Sequence, residues 1–372
     1  MRQLPKTCDV VVIGGGPAGL AAALAVRARG MNVLVADGAG PEPIDKACGE
    51  GLMPDAITAL GALGVDALDT QPHWRFSGIR FLGAKCEVEA PFPHGFGVGM
   101  RRTVLHAAMT RAALDAGVRL VWNSPAASVR ANEVQFPDGC VRARWVIGAD
   151  GGHSAVRRWT GLNGGMRAKE RYGFRKHFRV RPWSHFVEVY WADGCQIYVT
   201  PVSECEVGVA VLSRDKRLRV SDAVPRFPDL ASRLNRAADA SLERGGISAS
   251  RRLARVSAGV VALIGDASGS VDAVTGEGLS LAFQQAPALA AAMVAGDLSL
   301  YEAAHRRIRR TPAMMAKALL LLDGFGSLRN RVLPALAARP QLFADMLAGH
   351  VGGAHPVTVA ADLAALGWAM LF

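Results

Sequence analysis

The chain has 372 residues and a formal net charge of +11, with 50% of residues hydrophobic and 20% charged. That balance supports a substantial buried core in one large domain or two intimately joined ones, and excludes a disordered or low-complexity protein. The six cysteines form no CxxC pair or metal-type cluster, which points to reduced thiols, a cytoplasmic setting and no metal site.

Residues 1–7 form a short polar lead, and Val10–Ile13 runs straight into glycines, the shape of a first β-strand rather than of a secretory segment. A helix is predicted over Ala18–Arg29, stopped by Gly30, and a second buried strand over Val33–Ala36 ends at Asp37. Beyond a glycine- and proline-rich loop, Pro54–Leu63 reads as a helix closed by Gly64. Thr103–Ala116 reads as another, closed by Gly117, with strands at Arg119–Trp122 and Arg144–Gly148. From Tyr172 to Leu212 the pattern becomes short alternating segments (Phe186–Trp191, Gln196–Thr200, Glu206–Val211), the signature of an antiparallel sheet. Gly259–Ile264 returns to a buried strand, and helical pattern runs from Leu279 onwards. No stretch reaches about 18 uncharged apolar residues, so no transmembrane span is expected. The tail Val357–Phe372 reads as a core-packed helix, with a membrane-lying helix as the alternative. The arginines are dispersed and lack interleaved aromatics, so the charge points to an anionic cofactor or acidic substrate rather than to nucleic acid.

Gly14-Gly15-Gly16-Pro17-Ala18-Gly19 satisfies GxGxxG between a strand and a helix, with an acid, Asp37, at the end of the next strand. Gly14 permits the tight turn, Gly16 admits a pyrophosphate to the backbone, and Gly19 lets the helix pack on the strand. The helix N-terminus at Pro17 and Ala18 offers unpaired N–H groups to phosphate, and Asp37 is placed to accept from a ribose hydroxyl pair. This unit indicates a dinucleotide without separating NAD from FAD.

Two further motifs carry a resemblance. Gly148–Arg157, with Asp150-Gly151 near its start, resembles the DG motif of flavoprotein monooxygenases of the p-hydroxybenzoate hydroxylase-like superfamily. Gly265-Asp266-Ala267-Ser268-Gly269-Ser270-Val271-Asp272 resembles that superfamily's GD motif, and Thr275-Gly276-Glu277-Gly278-Leu279 resembles its geranylgeranyl reductase branch. The resemblance implies non-covalently bound FAD, with NAD(P)H as a transient electron donor. It implies that Asp150 and the Gly265-Asp266 turn contact FAD, Asp266 through the ribityl chain. The helix start at Gly276, Gly278 and Leu279 would face the flavin N1–C2=O edge. Arg102 matches an arginine that contacts the FAD phosphate; Arg101 competes for that role, and a solvated arginine is the alternative for either.

The segment Lys46–Pro54, with Cys48 and Gly49, resembles the cysteine-glycine segment that runs beside the isoalloxazine in geranylgeranyl reductases. Cys48 is therefore a candidate to touch the flavin, with a small buried hydrophobe as the alternative. The aromatic-Trp-x-Phe-Pro element of that branch corresponds here to Gln196–Pro201, which lacks the Trp and Phe. Tyr198 and Pro201 fit the hydroxylase pattern instead. The leading expectation is an NAD(P)H-dependent monooxygenase acting through a flavin C4a-hydroperoxide on an aromatic or hydrophobic small molecule. The alternatives are reduction of alkenes in a lipid-like substrate, and modification of a protein partner. Trp183, Tyr190, Trp191 and Tyr198 are candidate substrate walls, and His177 and His185 candidate proton carriers, with plain core residues as the alternative.

The expected fold is α/β (α+β): a Rossmann-like FAD-binding domain of the GR2 type, an inserted antiparallel sheet for substrate, and C-terminal helices. The divisions fall at 1–75, 98–170 and 255–310 for the FAD domain, 76–97 and 171–254 for the substrate sheet, and 311–372 for the helical segment.

Overall fold

An uncharged run of β-branched residues can be buried on both faces, and Val10–Ile13 becomes the middle of a parallel sheet. In the computed structural model, which describes residues 4–66, 71–83, 86–168 and 170–351, Thr7–Ile13 lies between Gly139–Gly148 and Val33–Ala36, all parallel. Arg119–Val121 extends one side and Val261–Leu263 the other, so distant stretches of chain complete one sheet. The strand expected over Gly259–Ile264 is shorter, because Gly259, at φ 56°, turns the chain between Ser257–Ala258 and Val261–Leu263.

Helix α1 (Pro17–Arg27) leaves the first strand with Pro17 at its start, where the missing N–H and fixed φ carry no penalty. Helices α2 (Pro54–Ala62), α3 (Arg102–Asp115) and the short α4 (Ala155–Trp159) follow. Helices α5 (Val220–Ala223) and α6 (Pro228–Leu234) flank the second sheet. The chain then runs through α7 (Gly278–Ala295), α8 (Leu298–Gly324), α9 (Gly326–Ala338) and α10 (Pro340–Val351). Helix α8 is continuous across residue 310, where the sequence suggested a division. The tail Val357–Phe372 lies outside the described residues.

Helix α7 is, by length and composition, apolar enough to cross a membrane. It packs instead as a core helix: Leu281, Phe283, Ala286 and Leu289 are buried in the cluster that holds α1. Its polar residues also find protein partners, Ser280 and Gln284 on Asp55 and Gln285 on the Gly265 N–H.

The second sheet runs Ala238–Asp239, Arg171–Arg179, Glu206–Ser213, Cys195–Ser203, Phe186–Ala192, Gly78–Leu82, Glu87–Pro91, with Arg244–Ser248 also pairing Arg171–Arg179. It is antiparallel as expected except at one seam, where Phe186–Tyr190 pairs in parallel with Gly78–Leu82. No hairpin joins those two strands, so no turn imposes an antiparallel direction. A small third sheet (Gly51–Leu52, Gly97–Gly99, Trp74–Phe76) bridges the two. There the chains meet so closely that a Cβ on Gly99 would lie 1.7 Å from the Pro201 carbonyl oxygen.

A buried charged cluster fastens the second sheet to the loop that precedes α7 and to α8. Arg171, 3% exposed, donates to Asp272 at 2.9 Å and to Gln196, and lies 3.6 Å from Asp323 at the end of α8. Removing one member of such a cluster leaves its partners charged in the interior. Arg171→Ala is expected to lower stability by about 3–5 kcal/mol, read as a lower urea midpoint at unchanged slope. A loss below about 1 kcal/mol would show that the cluster does not hold these elements together.

Candidate cofactor and substrate cavity

One cavity of about 1340 Å³ runs from the glycine loop, between the two sheets, to helices α8–α10. Gly14, Gly16, Pro17, Ala18 and Asp37 line its first end. Gly14 sits at φ 113°, and a Cβ there would lie 2.4 Å from the Ala149 carbonyl oxygen. Gly19 is not on the cavity: a Cβ there would lie 1.9 Å from the Gly14 oxygen, so it serves the close helix–strand contact. A Cβ on Gly16 would meet nothing within 4 Å, so the backbone there is open to a ligand. No side chain caps the start of α1, which leaves its first-turn N–H groups available.

Asp37 holds this loop as well as lining it, accepting from the Gly15 N–H at 2.6 Å and the Ala39 N–H at 2.7 Å. His106 on α3, which no sequence motif marked, braces it from behind by donating from Nε2 to the Gly15 carbonyl at 2.8 Å. Burial pushes its pKa down, so the neutral ring supplies that donor.

The other motif aspartates reach the same cavity. Asp150 accepts from the Ala155 and Val156 N–H groups at 2.6 and 3.1 Å through Oδ2, while its Oδ1 is buried with no partner among the described residues. Arg102 lines the cavity with its Nε equally unpartnered, whereas Arg101 turns away to Glu206 and His177, each at 3.4 Å. Asp266 is half-exposed on the wall, 3.7 Å from Lys46, and caps no helix. Gly276, at φ 71°, Gly278 and Leu279 bring a second uncapped helix start, that of α7, to the cavity. Ser268 of the same motif donates to the Gly265 carbonyl at 2.8 Å and accepts from His305 Nε2 at 2.9 Å.

Cys48 and Gly49 lie on the wall, and the Glu50 N–H points at the Cys48 sulfur at 3.4 Å. Glu50 is the surprise of this segment: 4% exposed and at φ 58°, it accepts from His177 Nε2 at 2.5 Å and from the Arg102 N–H at 2.9 Å. Arg175 ion-pairs with both Glu50 and Asp45. His177 therefore fastens the Cys48 segment from the sheet rather than lining the cavity as a proton carrier. His185, the other candidate, stacks on Trp74 away from the cavity. Local sequence carries no sign of this, since Glu50 and His177 are 127 residues apart.

Tyr198 faces the cavity, its hydroxyl donating to the Val274 carbonyl at 3.0 Å, and burial raises its pKa so that it keeps its proton. Pro201 does not reach the cavity. Alternation in Cys195–Ser203 puts Tyr198 and Thr200 on the cavity face, and Pro201 points the other way, its carbonyl against Gly99. Trp183, Tyr190 and Trp191 do not line it either: the first two donate to buried Glu188, and Trp191 packs edge-on against Phe81. The far wall comes instead from C-terminal residues that no motif marked, including Met314, Leu321, Leu328, Val332, Phe343 and Met346. Among the described residues lining that helical wall, only Lys317 and His350 are titratable.

Two buried unpartnered polar atoms, open backbone at Gly16 and two uncapped helix starts fit a long anionic ligand with a pyrophosphate and hydrogen-bonding edges. Fold and site together define an FAD-dependent oxidoreductase. Family models agree: that of the FAD binding domain matches residues 123–296, and that of the lycopene cyclase protein residues 9–174. A menaquinone reductase of Mycobacterium tuberculosis is 30% identical over 330 residues, covering 80% of this chain and 79% of the relative. The digeranylgeranylglycerophospholipid reductase 1 of Methanothermobacter thermautotrophicus is 26% identical over 298 residues, 73% of each chain. A solved flavoprotein/dehydrogenase from Cytophaga hutchinsonii shares the fold, with TM-score 0.79 and 19% identity over 93% of this chain and 92% of that one. The chain belongs to the flavoprotein family that joins the p-hydroxybenzoate hydroxylase-like and geranylgeranyl reductase-like enzymes.

Asp266→Ala is expected to weaken FAD affinity roughly ten- to hundred-fold, the value of a charge-assisted hydrogen bond. Gly19→Ala is expected to purify with little flavin. Flavin absorbance per chain checks both; full occupancy would remove Asp266 from the cofactor site and show that the Gly19 contact does not shape it. A pH dependence follows from His305, whose pKa burial pushes from 6.5 down to about 3. The folded state keeps it neutral, so its contribution is complete above pH 6.5 and is lost as the pH falls towards 3. Urea midpoints across that window are expected to fall less steeply in His305→Gln than in the wild type.

Proposed function

We propose that the enzyme reduces a carbon–carbon double bond in a lipid-like, isoprenoid-bearing substrate, with NAD(P)H as a transient electron donor. The observation that carries this reading is the far wall of the cavity: thioether, aliphatic and phenyl side chains from three helices, suited to an apolar chain. The curated relatives, named for menaquinone and for a digeranylgeranyl lipid, support the same substrate class. A chamber serving an extended lipid also accounts for the missing Trp and Phe at Gln196–Pro201 without a change of reaction, because Gln196 is committed to the buried Arg171–Asp323 cluster.

In this reading Gly14–Ala18 and the start of α1 hold the pyrophosphate, Arg102 its charge, and Asp37 the ribose. Asp150 and Asp266 hold the rest of the ribityl-phosphate chain. Cys48, Gly49 and the start of α7 border the flavin ring, where the α7 N–H groups favour the negative charge of the reduced state. Bound FAD supplies hydride chemistry there, and the protein orients the chain and excludes water. A lipid-like substrate also implies peripheral contact with a membrane surface by a protein that otherwise lies in the cytoplasm.

A second reading, oxygen transfer to the substrate, is favoured by Tyr198 and the loss of the reductase-type aromatic element. One experiment separates them. The protein is reduced with NADPH without oxygen, then offered either air or a polyprenyl quinone, and the product mass is measured. Gain of two hydrogens on the polyprenyl chain, retained after the quinone ring is reoxidised, supports the reductase. Gain of one oxygen atom, only in air, overturns it in favour of the monooxygenase.

A further inference from the structure

The turn Thr275–Gly278 carries a glutamate, Glu277, at the N-terminus of α7. Glu277 is 5% exposed, and its Oε1 lies 3.6 Å from Nε2 of His350, itself 9% exposed, on the last described turn of α10. His350 lines the cavity. Among the described residues, Glu277 Oε2 and His350 Nδ1 have no hydrogen-bond partner, although both are buried. Each such unsatisfied buried group costs about 1–3 kcal/mol.

Burial holds the Glu277 carboxyl protonated, and the Asp55 carboxylate on α2 adds to the effect, so its pKa stands well above the ordinary 4.5. Burial also pushes His350 down to about 4, opposed only by the nearby Thr275 carbonyl. These shifts favour a carboxylic acid and a neutral imidazole in the resting pair. Glu277 Oε1 faces Nε2 of His350. Of the other candidate donors on the cavity, the Tyr198 hydroxyl is committed to Val274 and Lys46 to Asp266, while Lys317 also lines the helical wall.

We propose that Glu277 and His350 are the proton donor of the chamber, Glu277 storing a proton that His350 hands into the cavity. The proposal rests on the reductase reading. Saturating a double bond takes one hydride, which the bound cofactor supplies from NAD(P)H, and one proton. The hydride bonds to one carbon, and the π electron pair forms the second C–H bond with a proton that Nε2 of His350 takes from Glu277 and passes on. His350 ends neutral as it began, and the Glu277 carboxylate is reprotonated from water between turnovers.

The first measurement needs no turnover. Infrared spectra of the full chain freed of flavin are expected to show a carboxylic-acid C=O band at neutral pH that disappears in Glu277→Gln. A band unchanged in that variant, or none in the wild type, overturns the proposal. In anaerobic turnover, Glu277→Gln and His350→Gln are expected to lower kcat roughly 10²- to 10⁴-fold, the usual span for a positioned acid. KM and flavin content should stay unchanged, with partial recovery in Glu277→Asp. Turnover equal to the wild type overturns the proposal. Should the wild type saturate no alkene, that failure belongs to the reaction assigned above, and the infrared band still decides whether Glu277 holds the proton.

Discussion

The close approach of α1 and α7 is the constraint from which the site follows. Each helix begins at the cavity without a side-chain cap, so each points bare N–H groups into the same space. Their separation is set by a seam of small residues, Ala21, Ala22 and Ala25 on one helix and Ala282, Ala286 and Ala290 on the other, all buried in one cluster. Larger side chains along that seam would spread the two helix starts and misalign the pyrophosphate end with the flavin end. The glycines at the two starts matter because this seam fixes where they stand.

Around that axis the protein spends buried charge on a short irregular segment. Asp45–Glu50 runs past the cavity carrying Cys48, and its last residue sits in left-handed backbone geometry that a non-glycine side chain disfavours. Glu50 is kept there by His177, Arg175 and the Arg102 N–H, while Asp45 is gripped by Arg175 and Arg244. Isolated, each group would be costly to bury. Together they link the inserted sheet to the wall of the cofactor site, so a displacement of the sheet would be felt at Cys48.

What the sequence made legible was local. The strand–glycine–helix unit at Gly14–Gly19, the acid at Asp37 and the paired motifs at Asp150 and Asp266 are each written in a few adjacent residues, and of these Gly14, Gly16, Pro17, Ala18, Asp37, Asp150 and Asp266 line the cavity. The losses came where long-range pairing decided. Pro201 was adjacent to the right residues but on the wrong face, because strand register, not proximity, chooses the side. His177 and the aromatic residues of Phe186–Ala192 found partners that neighbouring sequence does not name. The parallel seam at Gly78–Leu82 joins strands with no shared turn. The helical wall of the cavity is simply apolar, and an apolar helix reads the same whether it covers a core or a substrate.

The order in which the chain is made gives the α1–α7 seam another meaning. Helix α1 leaves the ribosome early, with a buried seam at Ala21, Ala22 and Ala25 whose partner helix begins only at Gly278. Until then the first strands can pair among themselves, but the outer strand Val261–Leu263 and the second helix start are not yet made. The nascent chain therefore carries an uncovered hydrophobic stripe through most of its synthesis, a surface that chaperones recognise. A protein stopped short of α7 would lack a piece of its cofactor site and the cover for its first helix at once, which ties quality control of the fold to the ability to take up flavin.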